Sequence, residues 1–194
     1  MTKIGIIVGS TRPGRGEAVA GWIQGIARQR TEAEYEIVDI ADYDLPDPDE
    51  PAPPSRGQDR RPRTRAWAEK IGSFDGYVFV TPEYNHPVSG ALRSAIDVPC
   101  IEWHNKAAGF VTYGIGGGSC SVANLRLVMT ELQIADVQAQ VALSLYTDFT
   151  DLTDFTPAAH RADTVECMLH QVVGWSTALA SLRPLAAEPD DRTG

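Results

Sequence analysis

Ile4-Gly5-Ile6-Ile7-Val8, followed by Gly9-Ser10-Thr11-Arg12-Pro13-Gly14-Arg15-Gly16, decides how this chain folds. The first five residues form an unbroken apolar run, as in a strand buried on both faces, and a helix-period segment opens at Glu17. A strand, a Gly/Ser/Arg turn and a helix N-terminus in succession make an anion site. Backbone N–H groups of a first helical turn lack partners within the helix, and the helix dipole favours negative charge there. Ser10 and Thr11 add hydroxyl donors and Arg12 adds charge-assisted bonds, a set suited to a terminal phosphomonoester.

Working outward, apolar runs bounded by turn residues recur at Tyr35 to Ile40, Tyr77 to Val80, Phe110 to Tyr113 and Val137 to Leu143. Helix-period stripes lie between and after them: Val19, Trp22, Ile23 and Ile26; Val122, Leu125, Val128, Met129 and Leu132; Val165, Met168, Leu169, Val172, Leu179 and Leu182. Trp67 and Ile71 suggest a shorter helix. Strands alternating with helices predict an α/β fold whose parallel sheet is covered on both faces. Five strands with a phosphate turn after the first match either a flavodoxin-like order or a truncated dinucleotide fold, and the strand count favours the flavodoxin-like one. Prolines 46, 48, 51, 53, 54 and 62 make the segment from Leu45 to Pro62 a long surface loop. The expected organisation is one domain over 1–185 and a flexible tail over 186–194.

The phosphate turn is neither of the two common nucleotide loops. Gly9 and Gly14 have Walker A spacing, but Arg15 and Gly16 stand where the Lys and the metal-ligating hydroxyl belong, which weighs against an NTPase. A dinucleotide GxGxxG fails as well, because Val19 occupies the third glycine's place after Gly14 and Gly16, and Ser119 does so after Gly114 and Gly116.

A net charge of -9 over 194 residues argues against nucleic acid or anionic membrane as partner. No stretch approaches the ~18 apolar residues of a membrane span, and the first residues are too short for a secretory segment, so the cytoplasm is the expected location. Cys100, Cys120 and Cys167 are odd in number and lack a CxxC pair, so they read as core or incidental thiols. Glu102 and His104 have a ligand spacing without a third group, and no metal is expected there.

A second constellation follows the third strand. Tyr77-Val78-Phe79-Val80 runs into Thr81-Pro82-Glu83-Tyr84-Asn85-His86-Pro87, and a helix begins near Ser89-Gly90-Ala91-Leu92-Arg93-Ser94-Ala95-Ile96-Asp97. In open parallel sheets ligands bind beyond the carboxyl ends of strands, so this turn would stand beside the phosphate turn if the third strand neighbours the first. Pro82 stiffens it, while Tyr84 and Asn85 offer a flat surface and an amide, parts suited to a planar heterocycle.

Taken together, Gly9-Ser10-Thr11-Arg12, Pro82-Glu83-Tyr84-Asn85 and Leu92-Arg93-Ser94-Ala95-Ile96-Asp97 resemble the NADPH-dependent FMN reductase family over roughly Ile4 to Leu182. The resemblance implies a flavodoxin-like three-layer fold with sheet order 2-1-3-4-5 and helices on both faces. It implies that Ser10, Arg12 and the turn Arg15-Gly16-Glu17-Ala18 hold an FMN phosphate, and that Pro82, Glu83, Tyr84 and Asn85 wrap the isoalloxazine. It places Tyr113-Gly114-Ile115-Gly116-Gly117-Gly118-Ser119 beside the flavin ring, where glycines permit close backbone approach. NADPH or NADH is then the co-substrate, a small planar molecule the electron acceptor, and the assembly a homodimer or homotetramer. The chain departs from the family at Gly16, where a small hydroxyl residue is frequent, and at Val98-Pro99, where an aromatic usually follows the Ile-Asp pair.

The cofactor carries hydride chemistry, so no side-chain acid or base is obligatory and no catalytic residue is named. A flavodoxin-like electron carrier and a flavin-free nucleotide binder are the rival readings. His86 adjoins the ring turn and reads as a tuning or proton-donating group or, more simply, as a turn cap. Arg56, Arg60, Arg61, Arg63 and Arg65 are candidates for the 2'-phosphate of NADPH, or for a solvated helix start or subunit ion pairs. Trp22, Trp67, Trp103 and Trp175 are expected in cores or subunit contacts.

Overall fold

Strand β1 (Thr2–Val8) carries the decisive run into the interior of a five-stranded parallel sheet, between β2 (Ala33–Asp39) and β3 (Gly76–Pro82). With β4 (Lys106–Gly114) and β5 (Ile134–Ser144) the order is 2-1-3-4-5, the flavodoxin-like arrangement expected. The register sets Val8 beside Val80 and Val80 beside Val111, which brings the carboxyl ends of β1, β3 and β4 to one edge. This computed structural model describes residues 1–10, 12–43, 45, 62–86, 88–99 and 101–183. Thr11, Cys100, most of the proline-rich loop with Arg56, Arg60 and Arg61, and the tail expected over 186–194 lie outside the described residues.

Alternate side chains of each strand face opposite helices, which is why the central strands β1 and β3 read as continuous apolar runs. Ile4, Ile6 and Val8, with Val78, Val80 and Val111, pack against α1 (Arg15–Ala27) and α5 (Arg161–Leu179). Ile7, Tyr77, Phe79 and Phe110 face α2 (Pro62–Gly72), α3 (Gly90–Asp97) and α4 (Ser119–Glu131). Pro62 does not belong to the loop as expected: it opens α2, where a missing N–H costs nothing and φ is already helical. β4 begins at Lys106, ahead of the expected Phe110, because Ala107, Ala108 and Gly109 are small where apolar bulk would have signalled a strand. A Cβ on Gly109 would lie 2.8 Å from Met168 Cγ, so smallness there lets α5 approach.

Both buried indoles finish α3. Trp67 Nε1 donates to Ala95 O at 2.7 Å and Trp103 Nε1 to Ile96 O at 3.0 Å, supplying partners to carbonyls in the helix's last turn. At the other end, Ser89 Oγ accepts from Leu92 N–H at 3.1 Å and donates to Gly9 O at 2.6 Å, fastening α3 to the phosphate turn. Of the other two tryptophans, Trp22 packs edge-on against Phe155 and Trp175 is half exposed.

Between β5 and α5 the chain forms a short hairpin, β6 (Phe149–Thr150) with β7 (Asp154–Phe155), which the sequence patterning did not announce. Two-residue strands are too short for an alternation signal. Asp148, fully buried, anchors the excursion. Its carboxylate accepts from Arg161 Nε and Nη2, both at 3.0 Å, from Ser144 N–H at 2.9 Å and from Ala158 N–H at 3.3 Å.

Lys106 is buried at the opposite, amino edge of the sheet. Its ammonium donates to Ile71 O, Gly72 O and Tyr77 Oη at 3.0 to 3.1 Å, capping the end of α2. Burial, helped by the nearby positive Arg183, pulls its pKa from 10.5 down to about 7. Between those two values the unfolded chain holds a proton that the folded chain has lost, so stability rises as pH rises above 7. Urea midpoints are therefore expected to climb from pH 6.5 to about 9, and Lys106→Met is expected to flatten that climb. An unchanged slope in the variant would assign the titration elsewhere.

Candidate functional site

Three turns at the carboxyl edge of the sheet enclose one cleft of about 550 Å³, within the ~300–1,000 Å³ of ordinary ligand pockets. The turn after β1 contributes Ser10, Arg12 and Arg15; the end of β3 contributes Pro82, Glu83 and Tyr84; the end of β4 contributes Tyr113, Gly114 and Ile115. Leu145, Thr153 and Asp154 form a fourth wall from the β5–α5 excursion.

The phosphate turn is built to leave donors open. Gly14, the N-cap of α1, has φ 100 and offers no side-chain cap. The first helical bond runs from Ala18 N–H to Gly14 O at 3.0 Å, so the helix offers no acceptor to the N–H groups of Arg15, Gly16 and Glu17. Ser10 is buried beside them, its Oγ accepting from Arg12 N–H at 3.2 Å. The Arg12 guanidinium lies 4.8 Å from the centre of the Tyr84 ring, bridging the phosphate turn to the turn after β3.

Tyr113 stands under this turn. Burial pushes its phenol up to about 12, against a hydrogen bond with Ser10 that draws it the other way, so it remains a donor at neutral pH. A Cβ built on Gly16 would sit 3.3 Å from Tyr113 Oη and 3.0 Å from Val8 Cγ1. Tyr113 thus brings a hydroxyl beside position 16, where the chain itself has only a glycine.

The two ring-side turns brace each other. Glu83 N–H donates to Tyr113 O at 2.9 Å, and Glu83 Oε2 accepts from the N–H groups of Cys120 and Ser121, each at 3.1 Å. Thr112 Oγ1 donates to Gly117 O at 2.7 Å. Gly118 has φ 84, and a Cβ there would fall 2.5 Å from that of Thr112, so only glycine fits.

The structure brings Ser10, Arg12, Arg15, Pro82, Glu83, Tyr84 and Gly114 to the cleft wall. It does not bring all the expected residues there. Gly16 is buried beneath the turn, Ala18 has its N–H engaged within the helix, and Glu17 and Ala18 are exposed. Asn85 is exposed with φ 49, while Gly116, Gly117 and Gly118 shape the third turn without lining the cleft. Leu145, Thr153 and Asp154 were not among the expected site residues, and Tyr113 and Ile115 were expected only as members of the turn beside the ring, not, as Tyr113 stands, under the phosphate turn. Tyr113 ended an apolar run and so read as core, and the hairpin residues carried no motif. Arg63 and Arg65 sit exposed on the first turn of α2. Cys120 and Cys167 are exposed thiols, so of the two readings, core or incidental, the core one does not hold for them.

The model of the NADPH-dependent FMN reductase family matches residues 2–148, a span that contains all three turns. The chain belongs to that family. It is 33% identical over 166 residues to an NAD(P)H-dependent FMN reductase of a Nectria species, covering 79% of this chain and 82% of the relative. It is 36% identical over 149 residues to an NAD(P)H-dependent FMN reductase of Schizosaccharomyces pombe, covering 75% and 74%. Among solved structures it resembles FerB, a flavoenzyme NAD(P)H:(acceptor) oxidoreductase from Paracoccus denitrificans. The TM-score is 0.72 at 18% identity over 92% of this chain and 98% of that one, a likeness of fold. Membership of this FMN reductase family gives the activity class, an NAD(P)H-dependent flavin oxidoreductase with FMN as its cofactor.

Proposed function

We propose that this protein takes hydride from NADPH or NADH at the cleft and delivers electrons there to a flavin, quinone or similar planar acceptor. The observation that carries the reading is the continuity of one cleft from an uncapped helix N-terminus, flanked by Arg12 and Arg15, to the turn at Pro82, Glu83 and Tyr84. That donor set fits a phosphomonoester: open backbone N–H groups, two guanidinium groups and the hydroxyls of Ser10 and Tyr113. The stiff Pro82–Tyr84 stretch and the backbone of Gly114 then border the flat part of the same molecule.

Bound FMN supplies the hydride-accepting ring nitrogen and the two-electron reservoir. The chain's own residues hold and orient it. Ser10, Arg12, Arg15 and Tyr113 would fix the phosphate end, and Gly114 and Ile115 would border the ring. One face of the cleft stays open, with Ile115 67% exposed at its rim, so nicotinamide and acceptor use the same opening in turn. An exposed apolar side chain there suits closure by a second subunit, in a homodimer or homotetramer. Among the described residues no helix is long and apolar enough to cross a membrane, and a net charge of -9 gives no attraction to an anionic membrane surface; the location proposed is the cytoplasm.

The deciding experiment is anaerobic. FMN-loaded protein is expected to lose its yellow colour within seconds of adding NADPH or NADH and to regain it on addition of a quinone. Colour that persists with both nucleotides would make the protein a carrier served by another reductase. Failure to retain FMN at all would overturn the site.

A further inference from the structure

At the ring end of the cleft, three metal-binding side chains from two segments converge. Glu83 and His86, in the turn after β3, and Cys120, in the first turn of α4, bring a carboxylate oxygen, an imidazole nitrogen and a sulfur all within 4.8 Å of one another. No other such trio occurs among the described residues. We propose that Glu83, His86 and Cys120 bind a single borderline-soft divalent cation of the Zn²⁺ class, leaving its fourth position to water.

The donor set selects the cation. One oxygen, one nitrogen and one sulfur suit Zn²⁺, whereas Ca²⁺ and Mg²⁺ require several oxygens that the trio lacks. Ligand bonds of ~2.0–2.3 Å in a tetrahedron set donor atoms roughly 3.5 Å apart, so side-chain rotations of about an ångström complete the site. His86 and Cys120 are exposed and free to make them.

The backbone around the trio is already fastened. Glu83 Oε2 accepts from Cys120 N–H and Ser121 N–H at 3.1 Å each, which leaves lone pairs on the carboxylate for a cation. Ser121 Oγ donates to His86 O at 3.2 Å, tying the third ligand's backbone to the same helical turn. The positive end of α4 opposes a cation by about half a charge, and a carboxylate with a thiolate outweighs it. Ligation needs the thiolate, so binding releases a proton. The bound cation cross-links the turn after β3 to α4.

This inference stands apart from the flavin reading, because its test reads metal and not turnover. Full-length purified protein, treated with chelator and titrated with Co²⁺, is expected to take up one equivalent. Tetrahedral cobalt–thiolate bands should appear to the red of flavin absorption and disappear on adding Zn²⁺. Cys120→Ser is expected to abolish the thiolate bands and His86→Ala to weaken Co²⁺ binding at least about tenfold, since even outer partners of a ligand are worth that much. Both variants should keep the thermal midpoint of the metal-free protein, as both side chains are exposed. Absence of stoichiometric Co²⁺ uptake, or uptake that both substitutions leave unchanged, would overturn the site and assign any metal to other surface groups such as Cys167.

Discussion

Arg12→Ala is expected to weaken FMN retention by about ten- to a hundredfold while leaving the fold in place. A charge-assisted bond to phosphate contributes about 1.5–3 kcal/mol, which is that range in affinity. Arg15, Ser10, Tyr113 and the open N–H groups of α1 remain, so binding is weakened and not abolished. The guanidinium is exposed, and its one described packing partner is the Tyr84 ring, worth about 0.5–1 kcal/mol at such a site. The thermal midpoint of the flavin-free protein should therefore hardly move. Equilibrium dialysis of FMN against wild type and variant checks the affinity. Turnover at saturating FMN should return to the wild-type rate; an unchanged FMN affinity, or a rate that stays low with the flavin site full, would place Arg12 on the nicotinamide instead.

Asp148→Asn is expected to cost about 3 kcal/mol, the scale of breaking a buried charge pair and its hydrogen bonds. Asparagine keeps one oxygen and replaces the other by an amide that faces donors, so Arg161 loses its counter-charge and either Arg161 Nε with Ala158 N–H or Arg161 Nη2 with Ser144 N–H loses its acceptor. In a chain of this size that is roughly 6–12 °C of thermal midpoint. Proteolysis should then begin within the β6–β7 hairpin, whose residues Thr153 and Asp154 form one cleft wall. Burial disfavours the Asp148 charge, yet Arg161 and the two backbone donors hold its carboxyl below the usual 3.8. The stabilisation is fully present above that unfolded value and is lost as pH falls through the lower folded one. Wild type should thus gain on the variant only as pH rises from strong acid, and an equal midpoint at pH 7 would remove Asp148 from this role.

The phosphate turn was legible because its message is local: an apolar strand, a glycine turn and arginine beside a helix start need no tertiary contact to be read. The central runs of β1, β3 and β4 were legible for the same reason, since strands covered on both faces demand apolar residues there, whereas the edge strands β2 and β5 interleave Glu34, Glu36, Gln138 and Gln140 with theirs. The place of Tyr113 under the phosphate turn was not, because a tyrosine ending such a run looks like core or ring-side turn until Gly16 and Ser10 are folded onto its hydroxyl. Thr153 and Asp154 reach the cleft through the Asp148–Arg161 pair, 13 residues apart, and the packing of Phe155 on Trp22, contacts with no periodicity to mark them. Glu83 and Cys120 are 37 residues apart and meet because β3 and β4 are neighbours, a distance across which ligand spacing carries no signal.

The two faces of the sheet also differ in what they absorb and emit. Tyr77, Phe79, Phe110, Trp67 and Trp103 all lie under α2 to α4, with Tyr77 and Trp103 ring centres 4.8 Å apart. The opposite face is aliphatic through its middle and keeps its rings near the hairpin, where Trp22 meets Phe155. Near-ultraviolet dichroism and buried-indole emission are consequently weighted to one side of the molecule. Loosening of α1 and α5 would register through Trp22 alone among the packed indoles, since Trp175 on α5 is already half in water.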